Sequence, residues 1–245
     1  MSAMHRSDDA TQLYSINSVQ MRLASFKNNN NNGYGLICKN SGTVSNIVTN
    51  NLNLVVYEVA DGSASDYSKI EKTSITTGKH VNRPRGTETT AIGGLIGLNT
   101  GKVGTTDSDV IRMSNPIVMG SAYCSIEKYF EGTGGVIGKN TETTSSLSGE
   151  IEINGTFVVF SHTNIGGIIG RCDQNIGARL IVNGTPAPES EFHLSNDSKY
   201  GAVSCVVAGW NSPGGAIGKM ENGAFTYRAD YEYDGISAPD ASGNF

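Results

Sequence analysis

Four segments of this chain carry the same six-residue pattern, and that repetition constrains the fold more than any other feature. Gly93-Gly94-Leu95-Ile96-Gly97-Leu98, Gly134-Gly135-Val136-Ile137-Gly138-Lys139, Gly166-Gly167-Ile168-Ile169-Gly170-Arg171 and Gly214-Gly215-Ala216-Ile217-Gly218-Lys219 all read G-G-aliphatic-I-G-x. A fifth, degenerate copy reads Tyr34-Gly35-Leu36-Ile37-Cys38-Lys39, and Asn40, Asn99 and Asn140 follow three of the copies. Phosphate-binding loops share the Gly-x-x-Gly spacing, but they occur once per domain and lead into a helix; neither Gly-Lys-Ser/Thr nor a G-x-G-x-x-G before a helical pattern is present. Copies of one motif spread along a chain point to architecture.

Each copy leads into residues patterned as strand. Gly149–Ile153 alternates Glu150 and Glu152 with Ile151 and Ile153, Phe157–Phe160 is a continuous apolar run, and Arg179–Val182 and Ala224–Tyr233 follow later copies. Ser18–Phe26 fits a helix or a strand, and a strand is expected. The four full copies start 41, 32 and 48 residues apart. That is too irregular for a propeller of equal blades. It suits a parallel β-solenoid in which each interval holds more than one coil or carries inserted loops. In such a fold strands of successive coils stack about 4.8 Å apart. Glycine would let the corners adopt positive φ, the isoleucine would point inward onto its counterpart in the next coil, and the asparagine would bond neighbouring backbone. Asn154-Gly155 and Asn183-Gly184 read as tight turns closing strands. The expected organisation is an N-terminal strand segment with an Asn-rich linker over 1–32, an elongated all-β solenoid over 33–235 and a C-terminal tail over 236–245. Eight to ten coils would give a rod of roughly 40 to 50 Å.

The stretch from Gly93 to Gly101, G-G-L-I-G-L-N-T-G, resembles the GLUG repeat of large bacterial surface proteins, including adhesin-like and protease-associated passenger regions. The resemblance covers the five copies and their trailing strands. It implies a place on the cell surface and an adhesive role.

Composition narrows the function classes. A net charge of -5, with no basic cluster beyond Arg83-Pro84-Arg85, excludes a nucleic-acid site that tracks phosphates. No apolar run approaches the roughly 20 residues that cross a bilayer, so no membrane insertion is expected. Residues 1–27 lack the apolar core of a secretion signal, and Ser237–Phe245 has the composition of a linker. The chain is therefore expected to be a piece of a longer extracellular or cell-surface protein, or a mature subunit. Cys38, Cys124, Cys172 and Cys205 form no metal-ligand spacing. Cys38 takes the place of a repeat glycine and Cys172 follows a repeat by two positions, so buried thiols are expected rather than disulfides.

Candidate chemistry is sparse. His5, His80, His162 and His193 sit in unrelated contexts, and no nucleophile elbow is present. In Tyr227–Asp234, strand alternation puts Asp230, Glu232 and Asp234 on one face with Arg228 and the tyrosines on the other with Ala229. Three carboxylates so spaced are candidates for calcium binding or for acid pairs in glycan cleavage; the expected reading is the solvent face of a late or edge strand. Asp61–Asp66 alternates oxygen side chains but lacks the glycine and the glutamate of an EF-hand loop. Trp210 is the candidate for stacking on a sugar ring, against the alternative of a cap over the core. No catalytic or cofactor residue is assigned. The expected function is a non-enzymatic structural and binding module, a segment of a bacterial cell-surface adhesin or a subunit of an extracellular filament. Its partners would be itself or adjoining domains through the solenoid ends, and glycans or a host surface. A polysaccharide-acting β-helix enzyme and a phage tail-fibre or spike component are the alternatives.

Overall fold

The computed structural model describes residues 13–26, 33–59, 90–120, 130–141, 144–184 and 205–221. They are strand and turn throughout, and every strand pairing is parallel. The chain enters through β1 (Tyr14–Asn17) and β2 (Gln20–Phe26). One coil follows as β3 (Gly33–Tyr34), β4 (Ile37–Asn40), β5 (Thr43–Val44), β6 (Ile47–Asn50) and β7 (Asn53–Val59). The next is β8 (Thr90–Gly93), β9 (Ile96–Asn99), β10 (Lys102–Val103), β11 (Val110–Ser114) and β12 (Ile117–Gly120). A third is β13 (Phe130–Gly134), β14 (Ile137–Asn140), β15 (Ser146–Leu147), β16 (Glu150–Gly155) and β17 (Phe157–Gly166), and β18 (Ile169–Cys172), β19 (Arg179–Gly184), β20 (Cys205–Gly214) and β21 (Ile217–Met220) complete the stack.

Equivalent strands of successive coils hydrogen-bond into four sheets. Sheet I is β4-β9-β14-β18-β21, sheet II is β5-β10-β15, sheet III is β1-β6-β11-β16-β19, and sheet IV joins β2-β7-β12-β17-β13-β8-β3 with β20 on β17. A coil runs from sheet IV across a corner into I, then II, III and back to IV. The fold is a parallel β-solenoid.

The expectation of eight to ten coils changes: of the two readings of the irregular intervals the inserted loops hold, each interval between glycine motifs is one coil, and among the described residues sheets I and III have five layers. Four spacings of about 4.8 Å make that stack about 20 Å high. The coil from Gly134 to Gly166 is uninterrupted, because β17 pairs through Val158 with β12 and through Ile165 with β13. Other coils are longer because chain is inserted at 60–89, 121–129 and 185–204, outside the described residues. The N-terminal strands stack on the solenoid: β1 pairs with β6, β2 pairs with β7, and Ile16, Val19 and Met21 pack on the common core.

Strand alternation fills the interior. Sheet III contributes Ile47, Ile111 and Ile151, sheet IV Leu54, Val118 and Val159, sheet II Val44, Val103 and Leu147, all in one cluster. The corner from III to IV turns on a left-handed residue after the registered column Asn17, Asn50, Ser114, Asn154. These are Ser18, Asn51, Asn115 and Gly155, with φ of 54°, 54°, 52° and 78°.

Candidate functional site

The glycine motif forms the corner from sheet IV to sheet I. Ile37, Ile96, Ile137, Ile169 and Ile217 stand in one column at the start of sheet I, and Ile96, Ile137 and Ile169 are fully buried. The expectation that these glycines supply positive φ is overturned: among the described glycines only Gly104, Gly149 and Gly155 have it. The requirement is room. A Cβ at Gly93, Gly134, Gly166 or Gly214 would stand less than 3.0 Å from the carbonyl oxygen of the isoleucine three residues on. One at Gly94, Gly135 or Gly167 would meet the carbonyl of the matching glycine in the next coil as closely. One at Gly97, Gly138, Gly170 or Gly218 would meet sheet IV backbone of the preceding coil at Tyr34, Ile92, Thr133 or Ile165. The degenerate copy is one residue shorter at this corner. Its Ile37 registers with Ile96, but Tyr34 registers with Ile92 rather than with Gly93, leaving Gly35 alone to make the turn.

Beyond the corner a buried amide ladder runs up the stack. Asn40 Nδ2 donates to Asn99 Oδ1 at 2.7 Å, and Asn99 Nδ2 donates to Asn140 Oδ1 at 2.6 Å. Asn99 also donates to the Gly101 carbonyl at 3.1 Å, and Gly42 N–H donates to Asn40 Oδ1 at 3.0 Å. Cys172 registers with Asn140 and ends the ladder, accepting from Asn140 Nδ2 at 3.6 Å and donating to the Gln174 carbonyl at 3.2 Å. Burial pushes its thiol pKa up, so it stays protonated and inert. The cysteines described are free: Cys172 is buried as expected, whereas Cys38 is exposed. Cys38 lies on β4, where no coil below covers it among the described residues.

The outer faces of sheets I and III spend their charges on ion pairs within a coil and between coils. Lys139, Arg171 and Lys219 share a column. Lys139 pairs with Glu131, and Arg171 Nε donates to Asp173 Oδ1 at 2.7 Å while its Nη2 lies 2.5 Å from Glu221 Oε2. Burial works against the Arg171 charge, but the bond and charge of Asp173 with the charges of Glu131 and Glu221 raise its pKa. On sheet III, Arg112 pairs with Glu152 and Glu150, and Glu150 also takes Arg179 at 3.3 Å. A separate constellation fixes the loop before β11. Buried Asp109 accepts from Thr105 N–H and Oγ1, Thr106 N–H and Asn46 Nδ2. Burial would raise its pKa, and these bonds outweigh it and hold the carboxyl below its ordinary value.

Sheet IV differs from the others on its outer face. Leu54, Val118 and Val159 point inward, so their neighbours Val55, Ile117, Met119, Val158 and Phe160 face outward in registered columns. Val158 and Val206 are 7 % and 4 % exposed yet lie outside the central cluster. In the chain, residues 60–89 and 121–129 follow β7 and β12 and residues 185–204 precede β20; all three stretches lie outside the described residues. Sequence reasoning missed this strip, because a continuous apolar run such as Phe157–Phe160 does not show which of its side chains face outward.

Asp230, Glu232 and Asp234 lie outside the described residues, as do Asp61–Asp66 and His5, His80 and His193. Trp210 falls within β20, and its side chain is not among those described. Among the described residues no group of three or more His, Cys, Asp or Glu side chains could hold a metal ion, and no helix is long and apolar enough to cross a membrane. Fold and repeats together define a glycine-cornered parallel β-solenoid. No family model, no curated protein and no solved structure matches the chain.

Proposed function

We propose that this protein is a non-enzymatic structural and binding module, a segment of a bacterial cell-surface adhesin whose solenoid holds a variable sector on a constant scaffold. The observation that carries the reading is where the coils are interrupted. Sheets I and III keep their registers through every described layer, while the three longest internal stretches outside the described residues are each joined in the chain to a strand of sheet IV. Insertions in repeat proteins gather on the face that binds, because that is where length can change without breaking the stack. The ion pairs of sheets I and III support it: Lys139, Arg171, Arg112 and Arg179 are each paired with carboxylates of their own or a neighbouring coil and hold no charge in reserve for a substrate. The glycine motif, with its likeness to GLUG repeats, agrees with a surface role.

The test is a glycan array of neutral, sialylated and sulfated oligosaccharides probed with the full chain and with a variant in which residues 60–89 are replaced by a four-residue link. The expected result is binding by the full chain that the variant loses while its melting temperature is kept. Release of reducing ends from a polysaccharide by the full chain would instead establish an enzyme, and binding unchanged in the variant would remove the insertion from the binding sector.

A further inference from the structure

Among the described residues, the outer face of sheet I carries paired charge in its three upper layers only, and each of those layers is balanced. β13 and β14 bring Glu131 and Lys139, β18 and the residue after it bring Arg171 and Asp173, and β21 and the residue after it bring Lys219 and Glu221. Lys139, Arg171 and Lys219 are registered in one column. Below them the column continues through Leu98, which separates Lys139 from Lys39.

A bulge puts the lowest carboxylate in place. Phe130 registers with Thr90 and Gly132 with Ala91, so Glu131 is one residue more than β8 has to match it. Such an extra residue re-aims its side chain, and here the carboxylate reaches Lys139 Nζ and lies 3.5 Å from Arg171 Nη1. Lys139 is 3.8 Å from Asp173, Arg171 binds Asp173 at 2.7 Å and Glu221 at 2.5 Å, and Lys219 meets Glu221 at 3.2 Å. The layers so joined are held unequally by their apolar side chains. Ile168, Ile169 and Cys172 around β18 are fully buried, whereas Ala216, Ile217 and Met220 around β21 are half-buried. Apolar burial thus holds β18 more firmly than β21.

Acid acts on one sign of this column and spares the other. Carboxylates take up protons as pH falls below about 4, while lysine and arginine keep their charge. The bond from Lys219, with the charges of Arg171, Lys219 and Lys139, holds the Glu221 carboxyl below its ordinary value of 4.5. Its contribution is therefore whole above that ordinary value and is lost as pH falls through the lower folded one. Three cations in consecutive strands about 4.8 Å apart then face one another without carboxylates between them.

We propose that this column is an acid-sensitive clamp: at neutral pH it fastens β21 to the stack, and in acid its uncompensated cations push β21 off β18 while the strands below, joined at Leu98, stay paired. The clamp does not depend on what sheet IV binds.

Hydrogen exchange of the full chain, read by mass spectrometry on peptides covering 215–221 and 94–99, tests this. The protection of β21 relative to β9 should fall at least about tenfold between pH 7 and pH 3. Sodium chloride at about 1 M, where charges are screened beyond about 3 Å, should lower the protection of β21 at pH 7 and raise it at pH 3. Two variants at half-exposed positions leave the core untouched. Lys219→Gln should keep at pH 3 most of the protection that the parent loses, and Glu221→Gln should show part of the loosening already at pH 7. Loss of protection in β21 and β9 together would overturn the proposal, as would a salt effect of one sign at both pH values or variants that exchange like their parent.

Discussion

The solenoid turns from sheet IV to sheet I and from sheet III to sheet IV by different physics. At the first corner the residues are glycine because neighbouring backbone stands where a Cβ would be, within the turn and across the coils. At the second the chain turns on a left-handed residue, and Ser18, Asn51, Asn115 and Gly155 serve in turn. A requirement for space admits one residue type, whereas a requirement for positive φ admits several small polar ones at modest cost. The first corner is therefore conspicuous in the sequence and the second is nearly invisible, although its left-handed residue recurs in four successive coils.

Breaking the ladder that follows the glycine corner should have the larger effect. Asn99→Ala removes one amide from a buried column and leaves Asn40 Nδ2 and Asn140 Oδ1 without their partner. A loss of about 2 to 3 kcal/mol is expected from chemical denaturation. The other corner should be softer. Asn51→Ala, at φ 54°, should cost about 1 kcal/mol, the penalty for a left-handed alanine, whereas Asn51→Gly should be neutral within a few tenths. Equal losses for the two would mean that the Asn51 side chain, and not its conformation, makes the turn.

The smallest effect is confined to acid. Asp109, which holds the loop leading into sheet III, has a pKa lowered by its hydrogen bonds. A carboxyl depressed below its unfolded value of about 3.9 contributes stability that is complete above that pH and is lost as pH falls through the folded value. The stability difference between the parent and Asp109→Asn should thus be constant from pH 7 to 5 and shrink below about pH 4. A difference that persists undiminished in acid would remove the ionised carboxyl from the account.

The sequence made the strands, the parallel stacking and the inward isoleucines legible, because Ile96, Ile137 and Ile169 recur at fixed distance from glycines. It misled on coil number. The underlying coil is bare only between Gly134 and Gly166, and insertions elsewhere hide its period. Ion pairs such as Glu131 with Lys139 and Arg171 were illegible because they join residues brought together by the sheet IV to I corner and by stacking, at no regular spacing. The exposure of Cys38 follows from its position in the lowest described sheet I strand, which its local sequence does not reveal. The acidic strand at Asp230, Glu232 and Asp234, the most chemical stretch in the sequence, lies outside the described residues. What the structure adds instead is the row of outward apolar columns on sheet IV.

The central claim, that the corner glycines are there for the approach of one coil to the next, has a direct internal control. Gly135 and Gly215 hold the same place in the motif, but a Cβ at Gly135 would meet the Gly167 carbonyl oxygen closer than 3.0 Å while one at Gly215 meets nothing within 4 Å among the described residues. Denaturant melts of Gly135→Ala and Gly215→Ala should therefore part widely, with about 3 kcal/mol or more lost for the first and less than about 0.5 kcal/mol for the second. Equal losses at the two positions would contradict the account, since they would show that the glycine serves its own turn and not the coil above it.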